Sequence, residues 1–77
     1  MTSKYGLLWF DNDTTIDISK RLLRAATYYK KKYDIDANTC YVHPSMIEKD
    51  QVISGILVKQ DKTIQKNHFW LKVEKIP

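Results

Sequence analysis

Two pairs of side chains in this sequence could do chemistry: Asp11 with Asp13, and His43 with His68. The carboxylates follow an apolar run from Leu7 to Phe10 that predicts a strand, and carboxylate oxygens at a strand end can hold a hard cation such as Mg²⁺. Two histidines near strand ends could act as base and acid in RNA cleavage, or bind one zinc ion together. The pairs define one hypothesis, a small metal-dependent hydrolase or nuclease.

Each pair also has a structural explanation. Asp11 and Asp13 precede a predicted helix, where negative charge complements the positive end of the helix dipole. His43 and His68 are not at a short ligand spacing, and with Cys40 as the one cysteine the chain cannot form a Cys-rich zinc module. No glycine-rich phosphate loop joins a strand to a helix. We therefore expect neither a metal nor a cofactor.

The segment from Leu7 to Thr15 contains the pattern D-x-D-x-T directly before a helix. It resembles the first motif of haloacid dehalogenase-type phosphatases. That resemblance implies that Asp11 would be the nucleophile and Asp13 the proton donor, and that both would help to hold magnesium. The chain departs from the family elsewhere, because the parallel sheet with a later Ser/Thr, a Lys and another acidic pair is missing.

The segment from Thr14 to Tyr33 predicts the main helix. Apolar side chains recur at helical spacing and should face a sheet; they are Ile18, Leu22, Ala25, Ala26, Tyr29 and Tyr33. Thr14 is the expected N-cap, and Asp17 three residues later completes a pattern similar to a capping box.

The opposite side of this helix is basic. It collects Lys20, Arg21, Arg24, Tyr28, Lys31 and Lys32. Cations can contact phosphates, and an aromatic ring among them can stack on an unpaired base. The alternative is a solvated face with its own ion pairs, such as Asp17 with Arg21 one turn later. We predict a non-enzymatic binding module that uses this face for a nucleic-acid backbone or an acidic protein.

The remaining chain predicts strands, which gives the order β-α-β-β-β. The predicted strands are Lys4 to Phe10, Thr39 to His43, Gln51 to Lys59 and His68 to Lys75. Gly55 should mark a bulge or a close backbone approach, and Gln60 to Asn67 should connect a hairpin. The fold class is α+β, with one amphipathic helix on a four-stranded, mostly antiparallel sheet. The uncovered sheet face should present Tyr41, Trp70 and Lys72 as a contact surface.

Length and charge limit the possible classes. We expect residues 1–77 to form a single domain with a small core, and a homodimer would relieve that limitation. The net charge of +4 permits attraction to nucleic acid or to an acidic partner. The chain lacks the run of about 18 apolar residues that a membrane helix needs, and one cysteine suits a reducing compartment, so we expect a cytoplasmic protein without membrane contact.

The blocks Lys4 to Asp13, Cys40 to Pro44 and His68 to Glu74, with the helix between them, carry a second resemblance. They are similar to small uncharacterised bacterial proteins in which a G-L-L-W-F-D start and an H-F-W block bracket a compact α+β chain. This resemblance spans nearly the whole sequence and implies the fold class. It implies no activity, cofactor or binding residue.

Overall fold

The computed structural model describes residues 6–74 as one helix packed against one face of a five-stranded sheet. The elements are β1 (Leu7–Phe10), α1 (Ile18–Tyr33), β2 (Thr39–Val42), a short 3₁₀ helix (Pro44–Met46), β3 (Gln51–Ile53), β4 (Ile56–Gln60) and β5 (His68–Lys72). The predicted α+β class is confirmed. The parts of the predicted strands at Lys4, Tyr5 and Lys75 lie outside the described residues.

The fifth strand comes from a hairpin that the sequence prediction treated as one strand. Ser54 and Gly55 both adopt left-handed backbone angles, with φ of 52° and 80°, and they reverse the chain between β3 and β4. Val52 consequently lies opposite Leu57 in an antiparallel ladder. The prediction of four strands and of a bulge at Gly55 is wrong, because two left-handed residues in a row form a tight hairpin turn.

The sheet has the strand order β1-β5-β2-β4-β3 and is mixed, because β2 and β4 run parallel. The other three neighbouring pairs of the described strands are antiparallel, as predicted, and the parallel β2–β4 pair departs from that arrangement. The final strand lies between β1 and β2, which therefore run parallel to each other. The predicted hairpin loop from Gln60 to Asn67 is also wrong, since β2 separates β4 from β5. The Asp61 amide donates to the Val42 carbonyl at 2.8 Å as the loop crosses the end of β2.

Helix α1 begins one turn later than predicted. Asp17, not Thr14, is the N-cap, and its carboxylate accepts from the Lys20 amide at 3.0 Å. Thr14 lies in a turn before the helix. The helix ends at Tyr33, where Asp34 adopts a left-handed conformation and its amide donates to the Lys30 carbonyl at 2.7 Å. Three lysines in the last turn complement the negative end of the helix dipole.

The core lies between α1 and the helix-facing side of the sheet. Leu22, Ala25 and Tyr29 are buried, and Ile18, Ala26 and Tyr33 are partly buried against the same cluster, so the predicted apolar stripe is confirmed. Phe69 and Leu71 are also fully buried, as the alternation in the last strand predicts. The sheet contributes further core side chains from its central strands, namely Cys40, Val42, Ile56 and Val58.

Two groups on β2 have raised pKa values. Burial raises the pKa of the Cys40 thiol from 9.0 to about 12. Partial burial, and then the hydrogen bond to Glu74, raise the pKa of the Tyr41 hydroxyl from 10.0 to about 12. Both groups therefore stay protonated in the folded chain at pH values where they ionise in the unfolded chain.

We expect the protein to lose stability as the pH rises from about 9 to 12 because of these two groups. Above pH 9 the unfolded chain releases the Cys40 proton while the folded chain keeps it, so rising pH favours unfolding. A difference of one bound proton changes the free energy of unfolding by about 1.4 kcal/mol per pH unit. Urea unfolding at pH 8, 9.5 and 11 measures this. The decline should be shallower in Cys40→Ala and in Tyr41→Phe, and identical slopes in all three proteins would contradict the explanation.

Candidate functional site

Asp11 is a structural residue that joins three parts of the fold. It is nearly buried, its carboxylate accepts from the Asp13 amide at 2.9 Å, and its own amide donates to the Asn67 carbonyl at 2.9 Å. Arg24 Nη1 lies 3.4 Å from one carboxylate oxygen, and Arg21 Nε lies 3.8 Å from the other. Asp11 thereby ties the end of β1 to α1 and to the β4–β5 loop.

Arg21 does not belong to the outward-facing basic side where the sequence prediction placed it. Its exposed fraction is 7%, and its guanidinium donates to the Asp11 carbonyl and, at 2.9 Å, to the Asn67 side-chain oxygen. Its charge also lies 5.5 Å from the centre of the Phe69 ring. The prediction is wrong because, at about 100° per residue, Arg21 falls only about 60° from Ile18, on the border of the core stripe.

Asp13 is engaged locally and does not join Asp11 in an open carboxylate pair. It accepts from the hydroxyl and the amide of Thr15, and these hydrogen bonds lower the pKa of Asp13 below its ordinary value. Arg24 Nη1 lies 3.6 Å from its other oxygen. The arginines thus occupy the place that a cation would take in the hydrolase hypothesis.

His43 and His68 make separate local contacts. His43 Nδ1 accepts from the Ser45 amide at 3.1 Å and contacts the Ser45 hydroxyl at 2.8 Å, where it caps the 3₁₀ helix. His68 Nδ1 lies 3.0 Å from the Lys66 carbonyl oxygen, and its ring packs beside Phe10 with centroids 5.0 Å apart. Within residues 6–74, the His, Cys, Asp and Glu side chains form no group of three or more that could hold a metal ion.

The outward side of α1 retains five of the six predicted residues. Lys20, Arg24, Lys31 and Lys32 are exposed, and Tyr28 is 44% exposed. The Tyr28 ring packs against Trp9 of β1, with centroids 5.1 Å apart, so it is anchored to the sheet. We call these five residues the helix stripe. Its central cation, Arg24, is shared with Asp11 and Asp13.

Among residues 6–74, no helix covers the opposite face of the sheet, which we call the open face. One row of side chains crosses it from β1 through β5 and β2 to β4, and the pairing register gives its members as Leu8, Trp70, Tyr41 and Lys59. The next row toward the amino end of β2 contains Lys72, Thr39, Leu57 and Val52. The predicted sheet-face residues Tyr41, Trp70 and Lys72 therefore lie together on one surface.

Tyr41 is the centre of the polar part of the open face. Lysine ammonium groups from the two neighbouring strands lie over its ring, with Lys59 Nζ at 5.9 Å and Lys72 Nζ at 5.4 Å from the centroid. Its hydroxyl donates to the Glu74 carboxylate at 2.9 Å, and Lys72 lies 3.0 Å from the same carboxylate. Partial burial acts to raise the pKa of Glu74, but the hydrogen bonds from Lys72 and Tyr41 hold it below its ordinary value.

The β1 side of the open face is apolar and exposed. Leu8 and Phe10 have exposed fractions of 55% and 56%, and Phe10 lies opposite His68 in the ladder. The Trp70 ring lies against the backbone of Gly6, where an added Cβ would come within 2.4 Å of the ring. A groove of about 300 Å³ opens next to Leu8 and His68, with residues 63–65 of the β4–β5 loop as its other wall.

Leu8, Phe10 and Lys59 also lie on the open face, although they are not among the predicted site residues. The alternation in β1 and β4 carries the signal, since each of these residues is on the opposite side of its strand from a core residue. Which rows they form depends on the strand order, which a single sequence does not supply.

The comparisons with known proteins add no relative: no family model matches the chain, and no curated protein or solved structure matches it. In the part of the chain that the structure describes, no helix is long and apolar enough to cross a lipid bilayer.

Proposed function

We propose that this chain is a non-enzymatic module that binds single-stranded nucleic acid on the open face of its sheet. The observation that supports this proposal most directly is the Tyr41 ring, which has a lysine ammonium group from each neighbouring strand over it. Trp70 lies beside Tyr41 in the same row. Aromatic rings interleaved with cations on a sheet provide stacking for bases and charge for phosphates.

The exposed apolar side chains of the open face indicate that this face binds a ligand and is not simply a solvated surface. Leu8, Phe10 and Val52 are each more than half exposed on the same face of a 77-residue chain. Leu8 and Phe10 lie together at the β1 edge and Val52 lies at the β3 edge, so exposed apolar side chains are present on both sides of the Tyr41 cluster. Exposed apolar patches with polar groups around them are typical of contact surfaces. Unpaired bases expose flat apolar faces, whereas a duplex presents mainly its phosphates. The open face therefore suits single strands better than duplexes.

The two lysines on the open face are not equivalent. The Lys72 charge is offset by Glu74, whereas Lys59 contacts the Tyr41 ring from β4 without taking part in that ion pair. Lys59 is thus the residue we assign to phosphate contact. Glu74 accepts the hydrogen bond of the Tyr41 hydroxyl, and Lys72 pairs with the same carboxylate, so the two residues fix the orientation of the ring.

The helix stripe is the alternative surface for the same function. Its lysines could contact a nucleic-acid backbone or an acidic protein, and Tyr28 is exposed among them. The open face is preferred because Tyr41 and Trp70 are adjacent there with cations over the Tyr41 ring, whereas Tyr28 is the one aromatic residue of the stripe and packs against Trp9. Lysines on the two surfaces provide a matched comparison.

We expect Lys59→Ala to weaken binding of short single-stranded oligonucleotides and Lys31→Ala to leave it nearly unchanged. Fluorescence anisotropy at several salt concentrations measures both the affinity and its salt dependence. Loss of one phosphate contact should lower the slope of log K against log salt by about 0.7 for a single strand. Tyr41→Ala should weaken binding by about 1–3 kcal/mol because a stacking ring is lost, while Tyr41→Phe should bind almost as the wild type does.

Two results would contradict the proposal. Absence of a complex at low salt would exclude nucleic acid as the ligand, and a slope lowered by Lys31→Ala but not by Lys59→Ala would move the site to the helix stripe. Light scattering provides a further check. A dimer that Phe10→Asp dissociates would show that a second copy of the chain covers the open face.

A further inference from the structure

Building on the proposed function, we infer that the groove beside Leu8 and His68 is a pocket for one nucleobase of the bound strand. The groove lies on the open face, at the end of β1 and the start of β5, and its far wall is formed by Thr63, Ile64 and Gln65. Its volume of about 300 Å³ is at the small end of the range for ligand pockets, which suits a single ring system.

The walls of the groove combine apolar and polar surface in the way that a base requires. Leu8 and Ile64 offer apolar contact for the ring faces, and Phe10, which is 56% exposed, packs against the lining residue His68. The Phe10 and His68 rings pack against each other at 5.0 Å, at an angle of 49°. A base that enters the groove can therefore stack on the His68 ring, whose orientation is supported by its packing against Phe10.

His68 also has a defined hydrogen-bonding role. Its Nδ1 lies 3.0 Å from the Lys66 carbonyl oxygen, and because a carbonyl can only accept, Nδ1 carries the proton in this contact. In the neutral ring Nε2 is then the atom that can accept. Each nucleobase that pairs through its edge carries an N–H donor there, so Nε2 can accept from a base. The exposed Gln65 amide offers both a donor and an acceptor at the rim.

The groove and the Tyr41 cluster would make different contributions to one bound strand. Lys59 contacts phosphate, so its loss should weaken binding equally for every sequence. The groove holds a base, so its loss should affect one position of the strand. This difference separates a base pocket from general attraction of the strand to a positive surface.

The test uses the full chain and single-stranded oligonucleotides of about eight residues that carry 2-aminopurine at one position each, since its fluorescence is quenched by stacking. We expect strong quenching at one position. Phe10→Ala should reduce that quenching and weaken binding roughly tenfold. Gln65→Trp, a change at an exposed rim residue that fills the groove, should have the same effect. Lys59→Ala should weaken binding but leave the quenching at saturation unchanged.

Free 2-aminopurine riboside distinguishes an isolated nucleoside from a base within a strand. We expect it to bind at least a hundredfold more weakly than the oligonucleotide, because it lacks the phosphate contacts. Riboside binding as tight as that of the oligonucleotide would overturn the inference of a strand-bound base. Oligonucleotide binding with no quenching at any position, or with quenching unchanged in Gln65→Trp, would refute the pocket while leaving the proposed function intact. Absence of oligonucleotide binding would refute both.

Discussion

Arg21→Ala is expected to lower the free energy of unfolding by about 3–5 kcal/mol, since it removes a buried guanidinium and leaves the Asp11 carbonyl and the Asn67 side-chain oxygen without their donor. The guanidinium connects α1 to the Asp11 carbonyl and to the Asn67 side chain, and it packs over Phe69. A domain of this length has a total stability of about 4–12 kcal/mol, so much of it would be lost. Urea unfolding followed by circular dichroism measures the change.

Arg24→Ala is the matched control for this prediction. Arg24 contacts the same Asp11 carboxylate, but half of its side chain is exposed, and exposed ion pairs contribute only about 0–1 kcal/mol. Equal losses in the two variants, or a loss below 1 kcal/mol for Arg21→Ala, would show that Arg21 belongs to the solvent-facing side of the helix. The structural role of Asp11 would then also be in doubt.

Gly6→Ala is expected to cost about 1–3 kcal/mol and to displace the Trp70 ring, because the added Cβ would come within 2.4 Å of it. The ring lies on the Gly6 backbone on the open face, so the change also moves a surface on which the strand should stack. The emission spectrum of Trp70, recorded in a Trp9→Phe background, reports the displacement. We expect a shifted emission maximum together with weaker oligonucleotide binding.

Gly55→Ala separates steric effects from backbone effects. A Cβ at Gly55 meets nothing within 4 Å, but the residue has a φ of 80°, so alanine there costs about 1–2 kcal/mol through the backbone alone. Trp70 emission and oligonucleotide binding should stay unchanged in this variant. If Gly6→Ala also leaves the emission and the binding unchanged, Trp70 does not depend on its contact with Gly6.

The sequence predicts those parts of the fold in which local periodicity determines burial. The stripe that includes Leu22, Ala25 and Tyr29 repeats at helical spacing, and the last strand alternates strictly, so Phe69 and Leu71 could be placed in the core. Both patterns arise from the side-chain directions within one element. They need no knowledge of the neighbouring elements.

Other parts of the fold depend on interactions that are distant in the sequence. The β3–β4 hairpin was missed because its strands are short and the run around Ser54 and Gly55 is β-branched on both sides, which predicts one continuous strand. The position of β5 between β1 and β2 was not predicted either, because the order of strands in a sheet depends on contacts between distant segments. The burial of Arg21 could not be predicted from helix periodicity, because its partners Asp11 and Asn67 lie outside α1.

The candidate site was predictable only in part. Tyr41, Trp70 and Lys72 follow from strand alternation, and the structure places them on the open face. Lys59 joins Tyr41 only because β2 and β4 pair in parallel, and Phe10 meets His68 only because β1 and β5 are neighbours. These contacts are set by the order of strands in the sheet, which a single sequence does not determine.

The two tryptophans test the central proposal most directly, because they lie on opposite faces of the sheet. Trp70 is on the open face, whereas Trp9 packs against Tyr28 of the helix stripe. In a ¹⁵N–¹H spectrum recorded during titration with single-stranded oligonucleotide, we predict that the Trp70 indole signal shifts to saturation while the Trp9 signal stays in place. A shift of Trp9 with Trp70 unmoved would place the ligand on the helix side, and no shift of either signal would contradict nucleic-acid binding by this protein.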